Sequence, residues 1–90
     1  MKGGIPVQIK QGSVVKSIAG HDSDRFYVVV RLEGDFAYIA DGKVRKLESP
    51  KKKRLKHLRP TKTEIDLEKT ATNNKLKIAL SDFNSEGTLT

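Results

Sequence analysis

Between Lys43 and Lys62 the chain carries ten Lys or Arg residues against a single acid, Glu48. Side chains of this kind at this density bind anions. An ammonium acts as a point charge, and a guanidinium forms paired hydrogen bonds to phosphate or stacks on a base. The 90 residues divide sharply by charge: 1–42 are balanced, 43–62 hold a net +9 and 63–90 a net −2, so one block supplies the total of +7. A local excess creates a surface potential that concentrates phosphate and responds to salt. A solvated face or an extended arm would carry the same run, so the elements that hold it decide what it can do.

Other chemistry finds little support. Asp22 and Asp24 form a loop acid pair, but no nucleophile with a general base accompanies them. Asp22-Ser23-Asp24 lacks the glycine and distal Glu of a calcium loop and reads as a turn with self-bonding carboxylates. His21 and His57, with no Cys anywhere, make no zinc site unaided. Gly3-Gly4 precedes a proline, and no GxxxxGK[ST] phosphate loop is present. The expectation is a binding module without catalytic activity, cofactor or metal. With no apolar run near the roughly 20 residues of a membrane span and no export signal behind Met1-Lys2, the expected setting is the cytoplasm.

The elements that must position the cations begin with Gly12 to Gly20, a β-branched run bounded by glycines. Phe26, Val28, Val30 and Leu32 then alternate with Tyr27, Val29 and Arg31, and Glu33-Gly34-Asp35 joins them to a third run, Phe36 to Ala40. Asp41-Gly42 carries the composition of a type I′ hairpin turn, which predicts a returning strand over Val44 to Leu47. Pro50 interrupts that strand, and Arg54 to Arg59 is the expected fifth, anchored by Leu55 and Leu58. Leu76, Ala79, Leu80 and Phe83 repeat at i, i+3, i+4 and i+7, one face of a helix that Thr72 or Asn73 can cap. Lys75 and Lys77 oppose its dipole, so this helix needs a surface to pack on. Short antiparallel strands in about 50 residues curl into a small barrel more readily than they form a sandwich. The fold class expected is therefore mainly β: an SH3-like barrel of about five strands over residues 9–62, after an arm at 1–8, and followed by a linker and helix at 63–84 and a tail at 85–90.

Gln11 to Asp22, followed by the Phe26 to Val30 run, resembles the KOW motif of ribosomal proteins and transcription elongation factors. With Tyr38 to Arg45, Pro50 to Lys53 and Lys56 to Leu58 in the same order, the chain is similar, over residues 9–83, to small bacterial KOW-domain RNA-binding proteins related to archaeal and eukaryotic large-subunit ribosomal proteins. The resemblance implies an SH3-like barrel that binds structured RNA, commonly ribosomal RNA, through the loop after the first strand, here Gly20 to Arg25. His21 stands where the family often has a basic residue and Asp24 where it often has glycine, which shifts weight onto the block after Gly42.

The candidate RNA-binding residues are Lys16, His21, Arg25, Lys43, Arg45, Lys46, Lys51, Lys52, Lys53, Arg54, Lys56, His57, Arg59 and Lys62. His57, among basic residues, is read as a structural residue beside Leu58 more readily than as a contact. Tyr27 and Tyr38 can stack bases, but alternating strand tyrosines more often pack in a core or at its rim. The expected partner is ribosomal or other structured RNA met by a monomer, with ribosomal proteins as neighbours. DNA and an acidic protein partner stay open. The absence of Trp and a total of five aromatics count against a polyproline groove.

Overall fold

A computed structural model of the chain describes residues 9–20 and 24–84. Five antiparallel strands form one open sheet: β1 Ser13–Ser17, β2 Phe26–Glu33, β3 Phe36–Ala40, β4 Lys51–Arg54 and β5 Leu58–Glu64, with a 3-10 turn Leu55–His57 between the last two. A helix, α1 Asn73–Asn84, closes the described chain. The strand order is β4-β3-β2-β1-β5. Laid flat, the outer strands of such a sheet would stand about 19 Å apart. Three 3-10 residues span only about 6 Å, so the sheet must curl until β4 and β5 meet at the turn. Leu55 N donates to Asp35 O and Ile18 N to His57 O, which ties the turn to both flanks of the sheet. Strand order and link are those of the SH3-like architecture, in an open form.

Alternation places apolar residues on both faces. Val15, Tyr27, Val29, Ala37, Ile39 and Leu58 pack inside the curl. Val14, Val28 and Ala40 point the other way and are covered by Leu76 and Leu80 of α1, with Phe26, Val30, Leu47 and Phe83 at the margin. The run Tyr27 to Val29 is therefore buried on both sides. Gly34-Asp35 makes a two-residue turn with Glu33 and Phe36 paired across it. A bulge between Val29 and Arg31 resets the alternation.

Past Ala40 the structure departs from expectation. Asp41 is not in the positive-φ region that a type I′ turn requires, and residues 41–50 contain no strand, so Val44 to Leu47 does not return along β3. The physical reason is the Asp41 side chain. Its Oδ1 accepts from the backbone N–H of Lys43, Val44 and Arg45 at 2.8–2.9 Å, winding the chain around the carboxylate. Lys51 to Arg54 pairs with β3 instead. The fifth strand begins at Leu58 and runs to Glu64, past the expected limit, because Leu55 to His57 is the 3-10 turn. Pro60 is tolerated because β5 lies at the edge.

Both ends of α1 are pinned by asparagine amides. Asn73 Oδ1 accepts from Leu47 N at 2.7 Å, and Asn84 Oδ1 accepts from Phe26 N at 2.7 Å while its Nδ2 donates to Phe26 O at 3.2 Å. Thr72 is the cap, its Oγ1 accepting from Lys75 N. Ala79, placed on the buried face by spacing alone, is exposed.

Gly42, at φ +81°, lies against the first turn of α1, where an added Cβ would fall on the Asn73 carbonyl oxygen and 3.0 Å from Lys77 N. Gly34, at φ +58°, has open space instead. Gly42→Ala should therefore destabilise the domain by about 2 kcal/mol or more and Gly34→Ala by about 1, the difference being the clash. Urea titration of both variants measures it, and equal losses would mean that the helix does not seat on Gly42.

Candidate nucleic-acid interface

The cations of residues 43–62 do not share one face. Lys43, Lys46, Lys52, Arg54, Lys56, Arg59 and Lys62 are exposed, Arg45, Lys51 and His57 are half-buried, and Lys53 is buried. In β4, strand period two sends Lys52 and Arg54 to the outer face and Lys51 and Lys53 inward. Lys53 Nζ donates to Ala19 O at 2.8 Å, closing the loop after β1 onto β4. Its ammonium thus has an internal task. Arg25 likewise turns in, donating to Asp41 Oδ2 at 2.8 Å. His21 lies outside the described residues. Lys16 and Arg59 are direct cross-strand partners on the outer face, with Lys16 Nζ 3.7 Å from Asp24 and 5.8 Å from the centre of the Phe26 ring.

Lys43, Arg45 and Lys46 belong to the loop around Asp41, and Lys56 and His57 to the 3-10 turn that bridges the two sheet edges. Among the described residues, Lys46, Arg54, Lys56, Arg59 and Lys62 have no carboxylate within 4.0 Å. In sequence they run from the loop around Asp41, which holds Lys46, through edge strand β4 at Arg54 and the turn at Lys56 to Arg59 and Lys62 on the other edge strand. Lys46 lies close enough to Glu48 for the two charges to interact, but residues 49–62 hold no acid, so the local potential there is positive.

Residues outside the basic block complete the outer face. Register aligns two rows across β2, β3 and β4: Arg31, Tyr38 and Lys52 in one, Glu33, Phe36 and Arg54 in the next. The Arg31 guanidinium lies 3.9 Å from the Tyr38 ring centre, and Lys52 and Arg54 lie 4.5 and 5.1 Å from that of Phe36. Tyr27, by contrast, is wholly in the core. The Tyr38 hydroxyl donates to Glu33 Oε1 at 2.7 Å, with Lys52 Nζ 3.7 Å from the same oxygen. That hydrogen bond, then the charges of Lys52 and Arg31, hold the Glu33 carboxyl below the ordinary glutamate range. Arg31, Glu33 and Phe36 escape a reading based on charge density. The two-residue turn at Gly34-Asp35, which fixes the hairpin register, is the signal that would have grouped them with Tyr38.

Neither a scan of protein-family models nor a search of curated proteins returned a match to this chain.

Lys52 and Lys53 are adjacent but should respond oppositely. Lys53→Glu places a carboxylate against the Ala19 carbonyl and should cost about 3 kcal/mol or more of stability, whereas Lys52→Glu should change it by less than about 1. Thermal unfolding of the two variants reads the contrast; equal, small losses would put Lys53 in solvent. For Glu33, NMR titration should give a midpoint below that of a free glutamate, and Tyr38→Phe should raise it. A depressed folded-state pKa means that this group's stabilising contribution is present above the unfolded value and disappears as pH falls through the folded one. A midpoint unmoved by Tyr38→Phe would show that the hydroxyl is not its partner.

Proposed function

We propose that the chain is a KOW-type RNA-binding module that holds structured RNA, with ribosomal RNA the first candidate, by contacts to the phosphate backbone. The observation that carries this reading is the series Arg54, Lys56, Arg59 and Lys62, exposed and without a carboxylate within 4.0 Å among the described residues, along the two edge strands of the curled sheet and the turn between them, with Lys46 in the preceding loop. Cations fixed to strands and to a short turn keep their spacing, so several phosphates of a folded RNA can be met at once without ordering a long arm. Backbone and shape recognition suits double-stranded or folded RNA, whose deep major groove hides the bases. The resemblance of Gln11 to Asp22 and Tyr38 to Leu58 to the KOW proteins supports the same choice. Lys16, Lys43 and Lys52 are further phosphate contacts in this reading, while Arg25 and Lys53 support the scaffold.

The test is an RNA affinity series against salt. The logarithm of the association constant should fall linearly with the logarithm of salt concentration, by about 0.7 to 0.9 per phosphate neutralised. The triple variant Lys56→Glu, Arg59→Glu, Lys62→Glu should keep its circular dichroism, bind at least about tenfold more weakly and show a shallower slope. A slope near zero in the wild type would dispose of the reading. Competition with a DNA duplex of the same sequence asks whether the 2′-hydroxyl matters, and co-sedimentation with large ribosomal subunits at low and high salt asks whether the RNA is ribosomal.

A further inference from the structure

A carboxylate at the centre of a phosphate-binding surface repels the ligand, and its presence there calls for a ligand group that donates hydrogen bonds. Glu33 is such a carboxylate. It stands in the second of the two cross-strand rows, beside Phe36 and Arg54, and diagonal to Tyr38 and Lys52. Its two contacts both fall on Oε1, the Tyr38 hydroxyl at 2.7 Å and Lys52 at 3.7 Å, and its side chain is 56% exposed. Oε2 makes none of the hydrogen bonds or ion pairs found among the described residues, which leaves it to accept from donors outside. The tyrosine hydroxyl orients the group, since a carboxylate bonded on one oxygen turns less freely than one in water.

The surroundings supply the rest of a base site. Phe36 and Tyr38 are half-buried on the middle strand, so their rings are held by the sheet while one side of each faces the cations above. A guanidinium or ammonium over a ring in the free protein occupies the place a nucleobase takes on binding, and it can then move to the adjacent phosphate. Among the four bases, guanine alone presents two neighbouring donors, N1–H and the N2 amino group, on its Watson–Crick edge. A carboxylate accepts both at once. Adenine and cytosine each set a donor next to an acceptor, and uracil flanks its single N–H with two carbonyls, which the carboxylate repels.

We propose that Glu33, Phe36 and Tyr38, flanked by Arg31, Lys52 and Arg54, form a subsite for one unpaired guanine projecting from the bound RNA. This rests on the RNA-binding reading and adds base selection to it. Phe36 and the Arg31-capped Tyr38 supply stacking, Glu33 reads the edge, and Lys52 and Arg54 take the flanking phosphates.

The experiment compares one hairpin RNA carrying a single bulged guanine with versions bulged at inosine, adenine or uracil, and with the unbulged stem. The wild type should bind the guanine bulge about tenfold tighter than the adenine or uracil bulge, as for other paired base contacts, with inosine, which lacks the amino group, between them. Glu33→Gln should abolish the preference while leaving affinity for the unbulged stem unchanged or slightly raised, since it removes a negative charge. Phe36→Leu, which keeps an apolar side chain in the hairpin, should weaken every bulged RNA relative to the stem. Equal affinity for all four bulges, with the steep salt dependence intact, would overturn the guanine subsite and leave phosphate recognition standing. Failure to bind even the unbulged stem at low salt would overturn both.

Discussion

A carboxylate withdrawn from water costs several kcal/mol unless its lone pairs are filled, and Asp41, only 1% exposed, fills them with three backbone N–H groups and the Arg25 guanidinium. Each of those bonds organises a different part of the molecule. The three N–H groups wind residues 43–45 into a tight loop, and the Arg45 carbonyl accepts from Asp41 N and Gly42 N to close it. Arg25 brings the start of β2 to the end of β3. The loop then presents Gly42 to the first turn of α1 and Leu47 N to Asn73, so the helix is seated by a geometry that Asp41 imposes. Leu76 and Leu80 cover Val14, Val28 and Ala40 only because that seat exists.

Burial on both faces explains where the charge has to go. With the inner face filled by Tyr27, Val29 and Ile39, and α1 covering the part of the outer face around Val14, Val28 and Ala40, a sheet of short strands has the rest of its outer face, its edges, its hairpin tip and its connecting turn left for polar residues. The basic block spans both edge strands, β4 and β5, and the turn between them. Edge lysines also discourage pairing with another chain. The curl makes the two edges neighbours at Leu55 to His57, so Arg54 at the end of β4 and Arg59 near the start of β5 flank the same turn.

How much of this was legible follows the same physics. β2 and β3 were readable because period two and a glycine turn are local signals, and α1 because Leu76, Leu80 and Phe83 repeat at helical spacing. The stretch after Ala40 was not, because Asp-Gly is compatible with a hairpin and equally with a carboxylate that captures its own loop. Which one forms depends on Arg25 and Asn73, 16 residues before Asp41 and 26 residues after Leu47. The candidate site divides the same way. Charge density located the exposed cations but could not tell Lys53, whose ammonium crosses to Ala19, from Lys52 next to it, since that distinction needs strand parity and the strand was placed elsewhere. Glu33 and Phe36 were invisible to a search for cations, although Gly34 marks the turn that pairs them.

Turning Arg25 and Lys53 inward gives each a partner inside the fold, which changes how much of its charge is felt outside. Electrostatic influence reaches about 8 Å at physiological ionic strength, and further where low-dielectric protein lies between. Arg25 is matched by Asp41 and contributes little at a distance. Lys53 Nζ meets the Ala19 carbonyl and lies beneath the Gly20 end of the loop after β1. One ammonium therefore ties β4 to a loop whose own described residues, Ala19, Gly20, Asp24 and Arg25, carry no net charge. A long apolar stem ending in a donor is what reaches that carbonyl, which is why a lysine at this position suits the fold better than the apolar residue its burial would otherwise favour.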